Sequence, residues 1–510
     1  MKHTIRSIVL FLPLFIVQIS LGQQSAAELY ELATIYEERG EFDKALKNYL
    51  AAKGKRNSIR EVNYKILALE LALGERREES LDQLIEFRDT DGKEDELYPY
   101  YLGKAYDYRY EFQKASETYE SLLNGARSLS NTHEEIVKEA LALTERKMEA
   151  FANPDNYEIQ QLPAPINSRF AELSPTYFKE KHELLFASSR ASYDGDEKFD
   201  IYHAKGDAAD WSDISTVPVL GQFDRSTANI EVVDEDGKLF LFNPVKGGDL
   251  FYSETTDGAW ETPKEFDSKI TSTYLESHFF INEHEDRIIF ASAKNAKKTG
   301  LDLYQSFKDP ETGKWTKPAP FANVINSEFD EDSPYLTHDE KTLYFSSNGH
   351  NGIGGYDVFK SEFDVATSTW SEPENLGFPI NSPEDEIHFK INADGKSGYF
   401  SSDRLHTLGD FDIYFYFEIS KVKIEGKVFD ETSQRLLSDV EVVFTPSKYE
   451  EEKFRSKTSS RGVYKMEIIS DEIYRVEIKR DDKVIFIDQF EIHEVGGDYS
   501  TTHIKDFMIR

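Results

Sequence analysis

Cysteine is absent from this chain of 510 residues. That absence excludes disulfides, thiolate metal sites and a cysteine nucleophile together. It also excludes the acylated cysteine on which a lipoprotein anchor depends. Basic residues are scarce beside acidic ones, with 60 Lys and Arg against 95 Asp and Glu and a formal net charge of −35. Binding to a nucleic-acid backbone rests on basic surface, so no nucleic acid is expected as a partner. The acidity serves solubility, or offers a face to a basic partner or a divalent cation. Long apolar runs are missing too. The longest, Ile8 to Ile19, is shorter than the roughly 20 residues a membrane helix needs. It follows Lys2, His3 and Arg6 and precedes Ser20-Leu21-Gly22, the pattern of a signal peptide over residues 1–22. The expectation is an exported chain, cleaved after Gly22, with no transmembrane segment afterwards.

What the chain does hold is aromatic: 28 Tyr and 36 Phe, residues that pack well on pleated sheets. Its length suits about three domains. Residues 26–151 carry a pattern that returns every 35 residues. Leu29, Leu32, Ala33, Tyr36, Gly40, Ala45, Tyr49 and Ala52 form one copy. Tyr64, Leu67, Ala68, Leu71, Ser80, Leu84 and Phe87 form the next, and Leu102, Gly103, Tyr106, Ala115, Tyr119 and Leu122 the third. Small residues let two helices approach while larger ones fill the gaps. The pattern resembles the tetratricopeptide (TPR) repeat, with one residue more per copy. A polar capping helix from Asn131 or Thr132 to about Phe151 suits the end of such an array. The resemblance implies an α-solenoid whose concave face docks a partner, with Tyr30, Tyr100 and Tyr108 on that face. Packing against neighbouring helices is the other reading of these tyrosines.

Pro154, Pro163 and Pro165 mark a linker, after which a longer period begins. Asp200-Ile201-Tyr202, Asp249-Leu250-Phe251, Asp302-Leu303-Tyr304, Asp357-Val358-Phe359 and Asp412-Ile413-Tyr414 succeed one another at steps of 49, 53, 55 and 55 residues. Trp211, Trp260, Trp315 and Trp370 each fall 11 or 13 residues after one of these aspartates. An apolar strand ending in small residues comes before, as in Tyr344-Phe345-Ser346-Ser347; Phe242-Asn243-Pro244 departs from this pattern. Five such units predict five propeller blades over residues 157–420. The pattern resembles the WD40-like propeller repeat of the TolB type. Leu162 to Ser168 matches Leu376 to Ser382, so Tyr157–Gln161 is predicted to form the outer strand of the fifth blade.

Glu331, Asp332, Glu384, Asp385 and Glu386 look in isolation like metal or acid–base groups. Glu172 and Glu276 stand at the same place in other blades, however, and chemistry needs an unrepeated set of groups. The repeated acids are therefore read as turn caps, and no catalytic residue, cofactor or metal site is expected. Arg190 and Arg404 follow the Ser-Ser element in the first and fifth blades only, which makes them candidate partner contacts.

Residues 421–510 alternate apolar and polar positions, as in Val440-Glu441-Val442 and Tyr474-Arg475-Val476-Glu477-Ile478, which predicts half-buried antiparallel strands. Gly426-Lys427-Val428-Phe429-Asp430 and Gly462-Val463-Tyr464 give this segment a resemblance to the carboxypeptidase regulatory-like domain, a transthyretin-like β-sandwich without an active site. The expected fold class is thus multidomain α plus all-β: a TPR α-solenoid, a five-bladed β-propeller and a C-terminal sandwich. In this order the modules resemble envelope proteins of the Bacteroidetes type, including OmpA-family accessory proteins of type IX secretion or gliding. No OmpA-like domain is seen before Arg510, so peptidoglycan binding is not carried over.

The resemblance implies a non-catalytic scaffold or adaptor in the periplasm or on the periplasmic face of the outer membrane. Its partners would be outer-membrane or secretion-machinery proteins. The alternatives are a propeller-based receptor for a glycan or peptide and a five-bladed propeller glycosidase with carboxylates in its channel. Gly-x-Ser-x-Gly, His-Glu-x-x-His and a Gly-rich phosphate loop are all absent, so no enzyme is expected.

Overall fold

A computed structural model of the chain describes residues 24–38, 42–55, 61–72, 77–90, 98–125, 129, 131–178, 181–190, 199–207, 210–217, 229–232, 238–243, 249–256, 259–266, 276–295, 300–447, 453–470, 472–492 and 502–509. The signal peptide expected over residues 1–22 lies outside them. The chain divides into two compact units, Met1–Asn153 and Pro154–Arg510.

The first unit is helical: α1 (Ala26–Glu38), α2 (Phe42–Lys53), α3 (Val62–Ala72), α4 (Arg77–Thr90), α5 (Tyr98–Tyr108), α6 (Phe112–Gly125) and α7 (Asn131–Ala152). Ser25 starts α1 with a capping box: its Oγ accepts from Glu28 N at 3.2 Å, and the Glu28 carboxylate accepts from Ser25 N at 2.7 Å. Helix α1 packs on α2, α3 on α4, α5 on α6, and α7 on α6. Leu29, Ala33, Ala45, Tyr49 and Ala52 bury the first contact; Tyr98, Leu102, Ala105, Ala115 and Tyr119 bury the third. Gly103 makes the latter close, since a Cβ there would strike the Tyr119 ring. One buried charge, Lys65, lies 3.1 Å from both Glu37 Oε2 and Tyr49 OH, while Tyr101 OH donates to Glu37 Oε1 at 2.8 Å. Its charge is paired where burial would otherwise be costly.

The second unit holds five sheets. Sheet I contains β2 (Glu172–Phe178), β3 (Glu183–Ser188), β4 (Asp200–Asp207) and β5 (Asp210–Thr216). Sheet II contains β6 (Asn229–Val232), β7 (Lys238–Asn243), β8 (Asp249–Thr256), β9 (Ala259–Trp260) and β10 (Lys264–Glu265). Sheet III contains β11 (Glu276–Ile281), β12 (Arg287–Ser292), β13 (Asp302–Phe307) and β14 (Ala319–Pro320). Sheet IV contains β15 (Glu331–Leu336), β16 (Thr342–Ser347), β17 (Asp357–Asp364), β18 (Thr369–Trp370) and β19 (Glu374–Asn375). Sheet V contains β20 (Glu386–Ile391), β21 (Ser397–Ser402) and β22 (Asp412–Glu418), completed by β1 (Tyr157–Gln161). All five residues of β1 pair antiparallel with β22, from Tyr157 opposite Glu418 to Gln161 opposite Tyr414. The match between Leu162–Ser168 and Leu376–Ser382 identified that strand correctly.

Each Asp-apolar-aromatic triplet opens the third strand of its sheet, and each Ser-Ser or equivalent element closes the second. The first strands lie side by side, β2 by β6, β6 by β11, β11 by β15, β15 by β20 and β20 by β2. The arrangement is propeller-like. Apolar side chains seal the seams between sheets, as where Ile289, Leu303 and Phe321 of sheet III and its following loop meet Leu343, Phe345 and Phe359 of sheet IV.

A two-sheet sandwich follows: β23 (Lys421–Asp430), β24 (Glu441–Pro446), β25 (Phe454–Lys457), β26 (Val463–Ile469), β27 (Glu472–Arg480), β28 (Lys483–Ile492), β29 (Thr502–Ile504) and β30 (Phe507–Ile509). One sheet runs β25-β24-β27-β28; the other centres on β23 between β26 and the short β29 and β30. Val422, Ile424, Val442, Phe444, Tyr464, Tyr474 and Val476 fill the space between them.

The expected fold class, a TPR α-solenoid with a five-bladed β-propeller and a transthyretin-like sandwich, needs correction. Thirty strands stand against seven α-helices among the described residues, so the chain is mostly β with a short helical unit and no established solenoid. No hydrogen-bonded ladder runs from one of the five sheets into the next, and the sheets remain open. The physical reason lies in what a sequence period records. A 35-residue period registers which helices pair, not whether the pairs stack into a superhelix. The Asp-apolar-aromatic period counts sheets without saying how they close.

Candidate functional site

Each described first strand of sheets I, III, IV and V shifts register just after it starts, between Leu173 and Thr176, Glu276 and Phe279, Asp332 and Tyr335, and Ile387 and Lys390. Ser174, Ser333 and His388 sit in these shifts with φ of +53°, +48° and +56°. A left-handed conformation at a non-glycine residue is uncommon and stores strain. It persists here because the bracing just beside it is dense.

That bracing is the glutamate opening the strand. Glu172 accepts from Ser168 N (2.9 Å), Ser168 Oγ (2.7 Å) and Ser188 Oγ (2.6 Å). Glu331 does the same with Ser327 and Ser347, and Glu386 with Ser382 and Ser402. These acids are turn caps and span their own hairpins, as the repeat implied. Arg190 and Arg404 complete the caps of sheets I and V. Arg404 Nη2 lies 3.1 Å from Glu386 Oε1 and 2.6 Å from Ile380 O, Nη1 reaches Pro379 O at 3.0 Å, and Nε reaches Ser402 Oγ at 3.1 Å. Arg190 makes the matching set on Glu172, Ile166, Pro165 and Ser188. The structure thus directs both arginines inward, onto the protein's own turns.

The residue two places after each glutamate follows a different rule. His388 of β20 and His278 of β11 meet edge to face with ring centroids 4.3 Å apart, although β15 lies between their strands. Their side chains therefore reach the axis around which the sheets are arranged. His278 Nδ1 lies 2.8 Å from Asp332 Oδ1. His388 is only 5% exposed, and neither of its ring nitrogens has a hydrogen-bond partner; Ser333 Oγ, also 5% exposed, has none either. Burial, the neighbouring His278 and Lys390 hold the His388 pKa well below its ordinary value, so the ring is neutral, with one donor and one acceptor nitrogen. A buried polar atom without a partner costs roughly 1–3 kcal/mol. Here three such atoms converge.

Acidic groups stand nearby. Tyr356 OH donates to Asp330 Oδ2 at 3.2 Å, and its ionisation is opposed by burial and by Asp332, Asp330 and Asp385. Tyr356 N donates to Asp385 Oδ1 at 2.7 Å, and Asp385 N to Asp403 Oδ1 at 2.8 Å. Burial, with Asp385 beside it, pushes the Asp403 carboxyl up to about 8. Among the described residues no group of three or more His, Asp or Glu is placed to hold a metal ion, and no helix is long and apolar enough to cross a membrane.

The three tyrosines singled out from the sequence are half-buried in the helical unit. Tyr30 packs edge-on to Tyr49 at 5.5 Å and against Lys65. Tyr100 and Tyr108 flank Lys104 at 5.6 and 5.9 Å. Sequence reasoning missed His278 and His388. With the blades aligned on Glu172, Glu276, Glu331 and Glu386, the residue two places on reads Ser, His, Ser, His. That variation inside a repeat was the available signal.

No family model matches the chain, and no curated protein matches it. Solved structures similar to it include an α-L-arabinofuranosidase from Lactobacillus brevis, at 14% identity over 50% of this chain and 92% of that one, with a TM-score of 0.33. A Bacteroides ovatus protein described as xyloglucan PUL GH43B gives 12% identity over 66% and 85%, with a TM-score of 0.32. A β-fructofuranosidase from Schwanniomyces occidentalis, complexed with fructosyl-erythritol, gives 10% over 66% and 82%, with a TM-score of 0.35. Likeness at this level carries no activity across to this chain. The expectation of a non-catalytic scaffold is nevertheless withdrawn, and with it the expectation that the chain is no enzyme. The similar structures named are enzymes rather than adaptors, and the argument against a site had rested on the acids being repeated. The axis holds an unrepeated polar set, His278, Ser333 and His388, which that argument overlooked.

Proposed function

We propose that the five-sheet unit binds carbohydrate at its axis, between β11, β15 and β20. The observation that carries this reading is the pair of unpartnered ring nitrogens on His388, buried beside His278 and Ser333 Oγ. Neutral donor-and-acceptor groups suit hydroxyls, which also donate and accept, better than they suit an ion. The Asp332 carboxylate adds an acceptor for a second hydroxyl and disfavours an anion. Titration calorimetry of the chain against a panel of neutral oligosaccharides tests the reading. Binding that is lost in His388→Asn supports it. No heat with any sugar, or binding unchanged in that variant, overturns it.

One observation favours a hydrolytic version of the same reading. Asp403, held protonated toward neutral pH beside Asp385, has the property a general acid needs. The same incubations are read for new reducing ends, and cleavage abolished in Asp403→Asn supports this version.

A further inference from the structure

The outer strand of the sandwich, β28, is ten residues long and contains neither proline nor glycine. It pairs with β27 on one side, from Glu472 opposite Ile492 to Arg480 opposite Lys483. Among the described residues no strand pairs with its other side. Long unpaired edges are usually blunted by proline, bulges or central lysines, because their free N–H and C=O groups template further pairing. This edge instead exposes Val484 (46%), Ile485 (37%) and Ile487 (55%). Its only lysine stands at one end, Lys483, and an acid stands near the other, Glu491.

We propose that β28 pairs antiparallel with β28 of a second copy of this chain, about a two-fold axis through Ile487. The charge pattern picks both occupant and register. Centred on Ile487, the pairing sets Lys483 opposite Glu491 of the copy and Glu491 opposite its Lys483. Ile485 then faces Gln489, Val484 faces Phe490, and the two Ile487 side chains meet. Shifting the centre to Asp488 would oppose two aspartates, and shifting it to Phe486 would take Lys483 off its acid and set Asp488 against Val484. Because side chains alternate between faces, a two-fold perpendicular to the sheet allows only registers in which a residue faces its own copy, so the Ile487 register is selected among these. The sequence of β28 is therefore complementary to itself when reversed, a property that a partner of different sequence would not require. Asp488 is already held by Lys505 Nζ at 3.3 Å within the chain and adds no repulsion.

Sedimentation equilibrium of the full chain, from low to high micromolar concentration, measures the association. A reversible dimer is expected. Lys483→Glu and Glu491→Lys should each weaken it about tenfold or more, since each replaces two attractive cross-strand pairs by two repulsive ones. The double variant Lys483→Glu, Glu491→Lys should recover the parent affinity to within about threefold, because the same pairs reform with charges exchanged. Ile487→Lys, which sets two ammonium groups together on the axis, should leave only monomer. All three positions are exposed, so the melting temperature serves as a folding control and should stay at the parent value. A chain that is monomeric throughout, or a dimer that ignores the charge reversals, overturns the proposal, as does failure of the exchanged pair to restore it.

Discussion

Sheets I, IV and V contain two neighbouring positions that obey opposite rules. At the turn position Glu172, Glu331 and Glu386 take the same serine partners in every case. The cation completing each cap also serves one role: Arg190 and Arg404 reach Ile166 O and Ile380 O, and in sheet IV His350 Nε2 reaches the equivalent Ile325 O at 2.8 Å. Two places further on, repetition ends. Ser174, Ser333 and His388 share a strained backbone but not a chemistry, and His388 leaves its nitrogens without partners. The contrast teaches that repetition across the sheets marks what holds them, and departure at a shared register position marks what they hold.

The largest expected effect lies at the saturated position. Glu386→Gln leaves the guanidinium of Arg404, 11% exposed, without its buried carboxylate. Breaking such a pair from one side costs about 3–5 kcal/mol, to be read as a fall in the denaturant midpoint. A fall worth less than about 1 kcal/mol, the scale of an ordinary hydrogen bond, would mean the cap is ornamental, and the contrast between the positions would fail.

A smaller effect of opposite sign is expected at Asp403. Its equivalent in sheet IV is Asn348, whose Oδ1 accepts Asp330 N at 2.9 Å just as Asp403 accepts Asp385 N. The unfolded carboxyl titrates near 3.8 and the folded one near 8. The folded chain thus holds the extra proton between those values, and stability falls as pH rises through that window. Asp403→Asn should remove this slope and raise stability at pH 8 by about 1–3 kcal/mol. Chemical denaturation at pH 5 and pH 8 checks it, and an unchanged slope would contradict the assignment.

The smallest effect separates histidine from arginine within the cap. Burial draws the His350 pKa down, but the Glu331 carboxylate and the Ile325 carbonyl outweigh burial and leave it above 6.5. Its stabilisation is therefore complete below about 6.5 and is lost as pH rises through the folded value. Amide protection at Ser327, whose N–H donates to Glu331, should fall with rising pH across that range. Ser168 and Ser382, capped with arginine, should show no such step, and His350→Arg should abolish it in sheet IV.

Much of the fold was legible because it is periodic. The aspartate triplets located the third strands, and the recurrence of Leu-x-x-Pro-Ile-Asn-Ser placed β1 on β22 across more than 250 residues of sequence, from Gln161 to Tyr414. Periodicity also misled. It showed neighbouring helices and sheets but nothing of how they stack or close, and it caused His278 and His388 to be passed over. Their pairing across the axis depends on three-dimensional convergence of strands about 110 residues apart, His278 to His388, which no local pattern encodes. Arg190 and Arg404 were noticed for the right reason, their rarity. Only the folded chain shows that their donors point inward.

The central claim is that the axis takes a hydroxyl-bearing ligand, and the most direct test is calorimetry of the parent and His388→Asn against the same oligosaccharide panel. Asparagine tolerates the left-handed backbone at this position, so the variant should melt within a few degrees of the parent. The account predicts that a sugar binds the parent and that binding weakens by about tenfold or more in the variant, as removal of one buried hydrogen bond to the ligand would produce. Equal affinity in the two proteins, or no sugar binding to the parent at all, would contradict it.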